Sequence, residues 1–415
     1  MTSLSILAQD IIDPDLYTTG VPHATFKQMR DEDPVCWVDE KDGSGFWAIT
    51  RYDDLLEASK RPKLFSSSKG IRIEDMAPDE LEARKTLMEL DPPDHTSLRR
   101  LVNPPFLPRS VKAYTDDLRT LTNVVLDDLQ GATEFDFVTR IARVLPMRML
   151  GKLMGVPDED GKWLVSAGDA LIGNSDPEFT DFPVDLVDTE EYRLLPFRSP
   201  VSLKLFDYAG AIRDERRKCP MDDITTRLTG PLRDGSELSE IDFKNFFTLL
   251  VAAGNDTTRY TMAAGLQALF DFPEEMARLK DDLSLIDTAV EEMLRWGSVT
   301  MHFRRTALED YALNGKEIRA GDKLLLWYIS ADFDERQFPD PYRFDVSRTP
   351  NRHVAFGLKN PHKCLGEHLA RLEIKVLYEE LLQRVKSIEP NGPTERLRSN
   401  FIAGIKHMPV RVEWK

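Results

Sequence analysis

Cysteine is scarce in this chain of 415 residues. The three cysteines, Cys36, Cys219 and Cys364, are widely spaced and odd in number. This count excludes a disulfide framework and a four-cysteine zinc cluster. We therefore expect a protein of a reducing compartment, which predicts a cytoplasmic location.

Long apolar runs are absent as well. The longest ones, such as residues 246–254, are well below the roughly 20 residues that a membrane span needs. The N-terminal segment has no basic start, and its apolar run is too short for a secretion signal. The sequence predicts a soluble protein without a membrane anchor.

The chain also has no excess of basic residues. It contains 55 Lys and Arg and 71 Asp and Glu, which gives a net charge of −16. That balance argues against a nucleic-acid-binding protein. No repeat and no Gly/Ser-rich linker marks a boundary, so we expect a single domain spanning residues 1–415. No G-x-G-x-x-G fingerprint for a flavin or dinucleotide is present.

Helical periodicity dominates what is present. Apolar residues recur every three or four positions in residues 111–129 and 365–385, which predicts two helices. Residues 35–38 and 46–50 flank an Asp-Gly-Ser-Gly turn and predict a hairpin, and further short strands are expected around Asn314-Gly315 and at residues 323–327. The expected fold class is mainly α with small sheets.

A capping box at residues 239–242 opens a long apolar helix that stops before Pro273. Its middle reads Ala-Gly-Asn-Asp-Thr-Thr (residues 253–258), which contains poor helix formers and an acid that is costly to bury. One interpretation is a helix end with a solvated polar patch. The other is a helix opened against a ligand, with Asp256 beside the Thr257 hydroxyl to pass protons.

Glu292 and Arg295 are three residues apart and lie on one helix face. Such pairs are usually surface salt bridges of small energy. The apolar neighbours favour a buried pair instead, with Arg343 from the segment Pro-Tyr-Arg-Phe completing it.

An irregular stretch, residues 338–363, contains four prolines and leads into Cys364, where the next helix begins. Long loops of this kind are usually functional, and a helix N-terminus favours the metal-binding thiolate form of cysteine. A zinc site formed by His362, Cys364 and His368 lacks a fourth ligand at suitable spacing. An inert buried thiol is the remaining alternative.

These segments occur together and in order in one family. The chain resembles a cytochrome P450, a haem-thiolate monooxygenase, over essentially its whole length. The resemblance rests on residues 253–258, the E-x-x-R motif at Glu292 and Arg295, residues 341–344, and the cysteine loop Phe-Gly-Leu-Lys-Asn-Pro-His-Lys-Cys-Leu-Gly. Residues 91–102 match a further block, and residues 398–410 are most similar to bacterial members that oxidise sterols, terpenes or branched lipids.

The resemblance implies one haem b, with Cys364 as its thiolate ligand and its carboxylates held by His95, Arg99, Arg305 and His362. It implies Asp256 and Thr257 as the catalytic acid and alcohol, with Glu292, Arg295 and Arg343 as a structural triad. It also implies a pocket for a terpenoid, steroid or alkyl-aromatic or lipid substrate. The small pair Ala253 and Gly254 would leave space beside the iron, and the expected pocket residues are Leu250, Ala253, Gly254, Val299, Phe303, Phe401 and Ile402.

The resemblance further implies that O2 is the co-substrate and that NAD(P)H supplies electrons through a ferredoxin reductase and a [2Fe–2S] ferredoxin. Four cations, Arg100, Lys359, Lys363 and Arg371, would form a docking patch on the thiolate side, or else are ordinary solvated charges. A monomer is expected. A peroxygenase or isomerase would share the cysteine loop, and a non-enzymatic haem sensor or carrier of apolar ligands is the other alternative.

The cysteine loop departs from the family pattern F-G-x-G-x-H-x-C. Lys359 follows Leu358, Pro361 is an added residue, and the second glycine is missing. We expect this change to affect the backbone path and the amide groups around the sulfur, which tune the reduction potential. It leaves the ligand itself in place.

Overall fold

Helices and short strands follow one another along the computed structural model, which describes residues 10–40, 43–358 and 360–415. The α-helices are α1 His23–Glu32, α2 Tyr52–Ser59, α3 Pro78–Arg84, α4 Asp94–Val102, α5 Pro108–Ala113, α6 Thr115–Asp127, α7 Leu145–Met154, α8 Gly161–Ile172, α9 Val201–Lys218, α10 Ile224–Leu228, α11 Glu240–Asp271, α12 Pro273–Asp281, α13 Ile286–Gly297, α14 Tyr328–Ala331 and α15 Glu367–Arg384. The strands are β1 Val35–Val38, β2 Phe46–Ile49, β3 Phe65–Ser66, β4 Glu134–Asp136, β5 His302–Ala307, β6 Tyr311–Leu313, β7 Lys316–Ile318, β8 Lys323–Trp327, β9 Val385–Pro390, β10 Glu395–Arg396, β11 Ile405–His407 and β12 Pro409–Trp414. The prediction of a mainly helical fold with small sheets is confirmed.

The strands form small sheets at the edges of the helical body. The largest has the order β1-β2-β8-β5-β3, in which β2 and β8 are parallel and the other pairs are antiparallel. The predicted β1–β2 hairpin is present, although Asp42 of its turn lies outside the described residues. Asn314 and Gly315 connect β6 to β7 with positive φ angles of 46° and 75°, a conformation that asparagine and glycine tolerate best.

Helix α11 begins and ends where the sequence predicts. The Ser239 hydroxyl accepts a hydrogen bond from the Asp242 amide at its start, and the helix stops at Asp271, before Pro273. It packs against α7, α8, α9, α13 and α15. Because its apolar residues contribute to both large buried clusters, it forms the centre of the helical body.

The helix expected at residues 111–129 is divided in two. Helix α5 ends and α6 begins around Tyr114, whose amide bonds to the Val111 carbonyl three residues back. This tighter turn interrupts the α-helical hydrogen bonds without disturbing the apolar spacing on either side. Periodicity therefore identified the helical residues and missed the interruption.

The segment between α14 and α15 contains neither helix nor strand among its described residues, as the sequence predicts. It leads directly to Cys364, three residues before the start of α15. Within the described ranges, no helix combines the length and the apolar character required to cross a lipid bilayer.

Candidate active site

A cavity of about 770 Å³ lies beside the middle of α11, and its walls are largely apolar. It also reaches the cysteine loop, so that Cys364 and the centre of α11 border the same space. All seven expected pocket residues line it, namely Leu250, Ala253, Gly254, Val299, Phe303, Phe401 and Ile402.

The structure explains why residue 254 is a glycine, which the sequence alone does not. A Cβ atom added at this position would lie 2.6 Å from Cδ2 of Leu150 in α7, so the glycine permits the close approach of α7 and α11. Ala253, in contrast, is exposed and lines the cavity. Both residues therefore line the cavity, and Gly254 in addition permits the close packing of α7 against α11.

Cys364 presents its thiol to the cavity at the end of the irregular loop. Its amide donates a hydrogen bond of 2.9 Å to the Phe356 carbonyl, which closes the loop. Burial raises the thiol pKa, while the Gly366 amide and the guanidinium groups of Arg99 and Arg371 act in the opposite direction. The Gly366 amide, just before the start of α15, thus favours the thiolate as the sequence indicates, and burial is the larger effect.

Four basic side chains, all predicted from the motifs, gather on one wall of the same cavity. The rings of His95 and His362 lie 4.4 Å apart between centroids, Arg99 donates to the Pro361 carbonyl at 3.1 Å, and Arg305 enters from β5. Both ring nitrogens of the buried His95 lack a hydrogen-bond partner among the described residues.

The environment of these four groups disfavours their charged forms. Burial lowers the pKa of His95 to about 4 and that of His362 to about 2, with nearby arginines adding to both shifts. Burial also lowers the pKa of Arg99 and Arg305. Because none of the four forms an ion pair with a described residue, the wall suits a ligand that brings its own carboxylates. The residues present therefore fit the two propionate groups of haem b.

The centre of α11 stays helical through residues 253–258, so the helix is not opened there. The Thr257 hydroxyl donates to the Ala253 carbonyl at 3.0 Å and lines the cavity. Asp256, one residue earlier, is fully buried and does not border the cavity. The structure thus places the alcohol at the cavity and the acid behind it.

Asp256 belongs to a buried group of charges. Its carboxylate lies 3.0 Å from Arg259, which also pairs with Asp169 at 2.5 Å, and Asp169 in turn accepts from Nε of Arg143 at 2.9 Å. Burial raises the pKa of Asp256 to about 7, against the opposing influence of Arg259. Oδ2 of Asp256 has no hydrogen-bond partner among the described residues, so this oxygen is available to accept a proton.

The buried pair of Glu292 and Arg295 forms as expected, with two contacts of 2.8 Å and neither side chain exposed. The prediction that Arg343 completes it is wrong. Arg343 is exposed, and Arg348 contacts both carboxylate oxygens of Glu292 at 3.0 and 3.1 Å instead. Asn351 supplies a further bond at 3.0 Å. The Arg343 side chain points outward, and only its carbonyl takes part, as an acceptor for Arg348.

Comparisons with known proteins agree with this arrangement. A family model described as Cytochrome P450 matches residues 207–407. The chain is 34% identical over 413 residues to the steroid C26-monooxygenase of Mycobacterium tuberculosis, covering 97% of this chain and 92% of that protein. The chain belongs to the cytochrome P450 family.

Two further relatives extend the comparison. The methyl-branched lipid omega-hydroxylase of Mycobacterium tuberculosis is 37% identical over 373 residues, covering 89% of this chain and 84% of the relative. The structure of a Mycobacterium marinum cytochrome P450 in complex with pseudoionone has a TM-score of 0.87 and 36% identity, covering 95% of this chain and 96% of that one. The predicted P450 fold and monooxygenase class are confirmed, and the family implies haem iron and O2.

One buried acid in this P450 was missed by the sequence reasoning. Glu373 of α15 is almost fully buried and lines the cavity. Burial raises its pKa well above the usual value, and a hydrogen bond with Thr258 acts against that shift. The signal was available, because Glu373 lies four residues from both Leu369 and Leu377, on the apolar face of its helix.

Some of the cations in the expected ferredoxin-docking patch already form ion pairs with acidic residues. Lys363 pairs with Glu367 at 2.5 Å, and Arg371 pairs with Glu291 at 2.6 Å. Arg100 is exposed, and Lys359 lies outside the described residues. The positive charge on this face is therefore weaker than the sequence suggests.

Proposed function

We propose that this cytochrome P450 is a haem-thiolate monooxygenase that inserts one oxygen atom of O2 into a hydrophobic terpenoid, steroid or lipid-like molecule. The observation that carries the proposal is that Cys364 and Thr257 border one largely apolar cavity. The balanced reaction is R–H + O2 + 2e⁻ + 2H⁺ → R–OH + H2O.

In this proposal Cys364 ligates the iron of haem b, and His95, Arg99, Arg305 and His362 bind its propionates. The bound haem supplies activation of O2, which a thiolate ligand promotes by donating electron density. The support from this chain is a thiol that faces the cavity and a wall of basic side chains without acidic partners.

The residues of α11 supply protons in this proposal. Burial raises the pKa of Asp256 above the usual range of a carboxyl, which favours proton uptake by this group, while Arg259 acts against the shift. Thr257 follows it directly in the helix and presents a hydroxyl to the cavity, with the Ala253 carbonyl fixing its orientation. We propose that protons reach the cavity from Asp256 by way of Thr257.

Replacing Asp256 by asparagine is expected to lower turnover by about 10²–10⁴-fold, the usual contribution of a positioned proton-transfer group. Thr257→Ala is expected to bind substrate normally and to divert electrons into peroxide. Thr261→Ala is the matched control, because this threonine also lines the cavity one turn farther along. Product and peroxide formed per NAD(P)H consumed are the measurements, and unchanged values in both test variants would remove the relay role.

The substrate is expected to bind chiefly by desolvation, because the walls next to α11 and β5 are apolar. Each buried CH2 group contributes about 0.8 kcal/mol, so affinity should rise along a homologous series until the cavity is full. Titrations that follow the haem spin state, with n-alkanols of increasing length, measure this dependence.

The outcome also tests the proposed function. A rise in affinity together with hydroxylated product, formed with NAD(P)H, a surrogate [2Fe–2S] ferredoxin and its reductase, supports a monooxygenase. Binding without NAD(P)H-dependent turnover would indicate a carrier or sensor. Tight binding restricted to sugar-like compounds, with no dependence on chain length, would contradict the substrate class.

We also propose that a ferredoxin delivers the electrons. The chain contains no G-x-G-x-x-G fingerprint, and the exposed Arg100 follows Arg99, which contacts the cysteine loop. An acidic ferredoxin would be attracted to this face mainly by Arg100, because Lys363 and Arg371 already have acidic partners. The three free cysteines fit the expected cytoplasmic location.

A further inference from the structure

One arginine in the cavity wall has no acidic partner and no role in the proposed reaction. Arg72 lines the cavity, and its Nη2 is buried without a hydrogen-bond partner among the described residues. Two other arginines of the same cavity differ in this respect, because Arg84 and Arg198 both pair with Glu80, at 3.5 and 2.8 Å. Arg72 is half-buried as a whole, and a buried N–H group of a cation is costly to leave without a partner, so this position suits a ligand that supplies an anion.

The guanidinium of Arg72 is held between two aromatic rings. Its central carbon lies 4.8 Å from the ring centroid of Phe197 and 4.5 Å from that of Phe401. Phe197 adopts this place with a φ angle of 61°, which is unfavourable for a residue with a side chain. The amide group of Asn174 donates to the Phe197 carbonyl at 2.9 Å and fixes it there. The two ring contacts restrain the guanidinium, and its unpartnered Nη2 can donate to an anion.

The nearby acids form no ion pair with Arg72. Its acidic neighbours are Glu74 and Glu89, and neither forms an ion pair with it. Glu74 is exposed, and the Glu89 carboxylate already accepts the amide and the hydroxyl of Thr86 at 3.0 and 2.5 Å. The buried His302 is also close, but burial and Arg72 lower its pKa to about 3, so it adds no charge.

Arg72 is also separate from the wall assigned to the haem propionates. The charged neighbours of His362 are Arg305, His95 and Arg99, whereas those of Arg72 are Glu74 and Glu89. Arg72 therefore has different surroundings from those four residues, and it lies against Phe197 and Phe401.

We propose that Arg72 binds the carboxylate of the substrate, so that the preferred substrate is an amphipathic acid whose apolar chain extends into the cavity. This inference rests on the proposed function and specifies its substrate class. The guanidinium would determine which end of the molecule is anchored and therefore which carbons reach the iron.

Dodecanoic acid and dodecan-1-ol are suitable probes, because they share a chain and differ in charge. The haem-loaded protein should bind the acid about ten- to a hundredfold more tightly than the alcohol, as expected for a bidentate hydrogen bond to a charged group. Arg72→Gln should remove this preference and leave the affinity for the alcohol unchanged, and Arg72→Lys should retain part of it. Isothermal titration calorimetry and the haem spin-state change measure both ligands independently of turnover.

Arg198→Gln is the matched control, because Arg198 lines the same cavity but pairs with Glu80. It should keep the preference for the acid. Equal affinity of the original protein for both probes, or an equal loss of preference in the Arg198 variant, would overturn the proposal. So would loss of haem from Arg72→Gln with equal weakening of both probes, because Arg72 would then bind a haem carboxylate. If one of these results is found but the alcohol is still oxidised, the proposal for Arg72 is wrong and the proposed monooxygenase function stands. If neither probe is bound or oxidised, the proposed monooxygenase function is contradicted as well.

Discussion

Cys364→Ala is expected to abolish the absorption band that a thiolate-ligated haem shows when reduced in carbon monoxide, together with all monooxygenase turnover. Cys364 is the one cysteine that borders the cavity, within the residues that the structure describes. Under the proposed function, removing its sulfur would leave the haem without the thiolate ligand whose electron density favours O–O cleavage. The measurements are the difference spectrum of the reduced carbon monoxide complex and product formation with surrogate redox partners.

The other two cysteines are internal controls for this experiment. Cys36 is buried in β1, where burial raises its thiol pKa to about 12, and Cys219 is exposed at the end of α9. Both Cys36→Ala and Cys219→Ala should keep the band. If either of them removed it while Cys364→Ala retained it, the assignment of the ligand would be incorrect.

The residues around the cavity could be anticipated because each belongs to a short motif whose local structure is determined by nearby sequence. His95 and Arg99 lie one turn apart on α4, and Arg305 lies in β5, whose pairing with β8 fixes its direction. Their gathering on one wall depends on contacts between distant segments. Periodicity alone contains no information about such contacts, and only the resemblance to a family supplied it.

The errors share a physical origin. The direction of a side chain that lies in an irregular loop, or on the face of a helix turned away from the cavity, depends on packing between distant segments rather than on the spacing of neighbouring residues. Asp256 lies against Arg259 and Asp169 instead of the cavity, and the contact of the cavity residue Gly254 with Leu150 of another helix adds a packing role that the sequence does not indicate. Leu150 and Asp169 are distant from these residues in the sequence. Arg259 lies three residues after Asp256, a spacing that does indicate a pair, but the effect on the pKa of Asp256 follows from burial that only the fold reveals.

The choice between Arg343 and Arg348 is the clearest case. Both lie in the aperiodic segment before Cys364, and the sequence favours Arg343 because it belongs to the Pro-Tyr-Arg-Phe motif. The chain instead turns so that Arg348 reaches Glu292 and donates to the carbonyls of Pro339, Asp340 and Arg343 at 2.7, 3.1 and 2.7 Å. A single side chain thereby links the buried carboxylate of α13 to the start of the irregular segment.

Arg348→Ala is therefore expected to destabilise the protein by about 1.5–3 kcal/mol or more, the range for hydrogen bonds to a charged group. Arg295→Ala should cost about 3–5 kcal/mol, because it removes the main partner of a fully buried carboxylate. Arg343→Ala, an exposed arginine of the same segment, should change the stability by no more than about 0.5 kcal/mol.

Urea unfolding of the purified variants, followed by circular dichroism and by haem absorbance, gives the order of the three effects. Because Arg348 ties down the segment that leads to Cys364, haem absorbance should be lost from Arg348→Ala at lower urea concentration than the helical signal. Arg343→Ala should lose haem absorbance and the helical signal at the same urea concentration, and that concentration should equal the one found for the original protein. The opposite order, with Arg343→Ala destabilised and Arg348→Ala unaffected, would restore Arg343 as the third member of the triad.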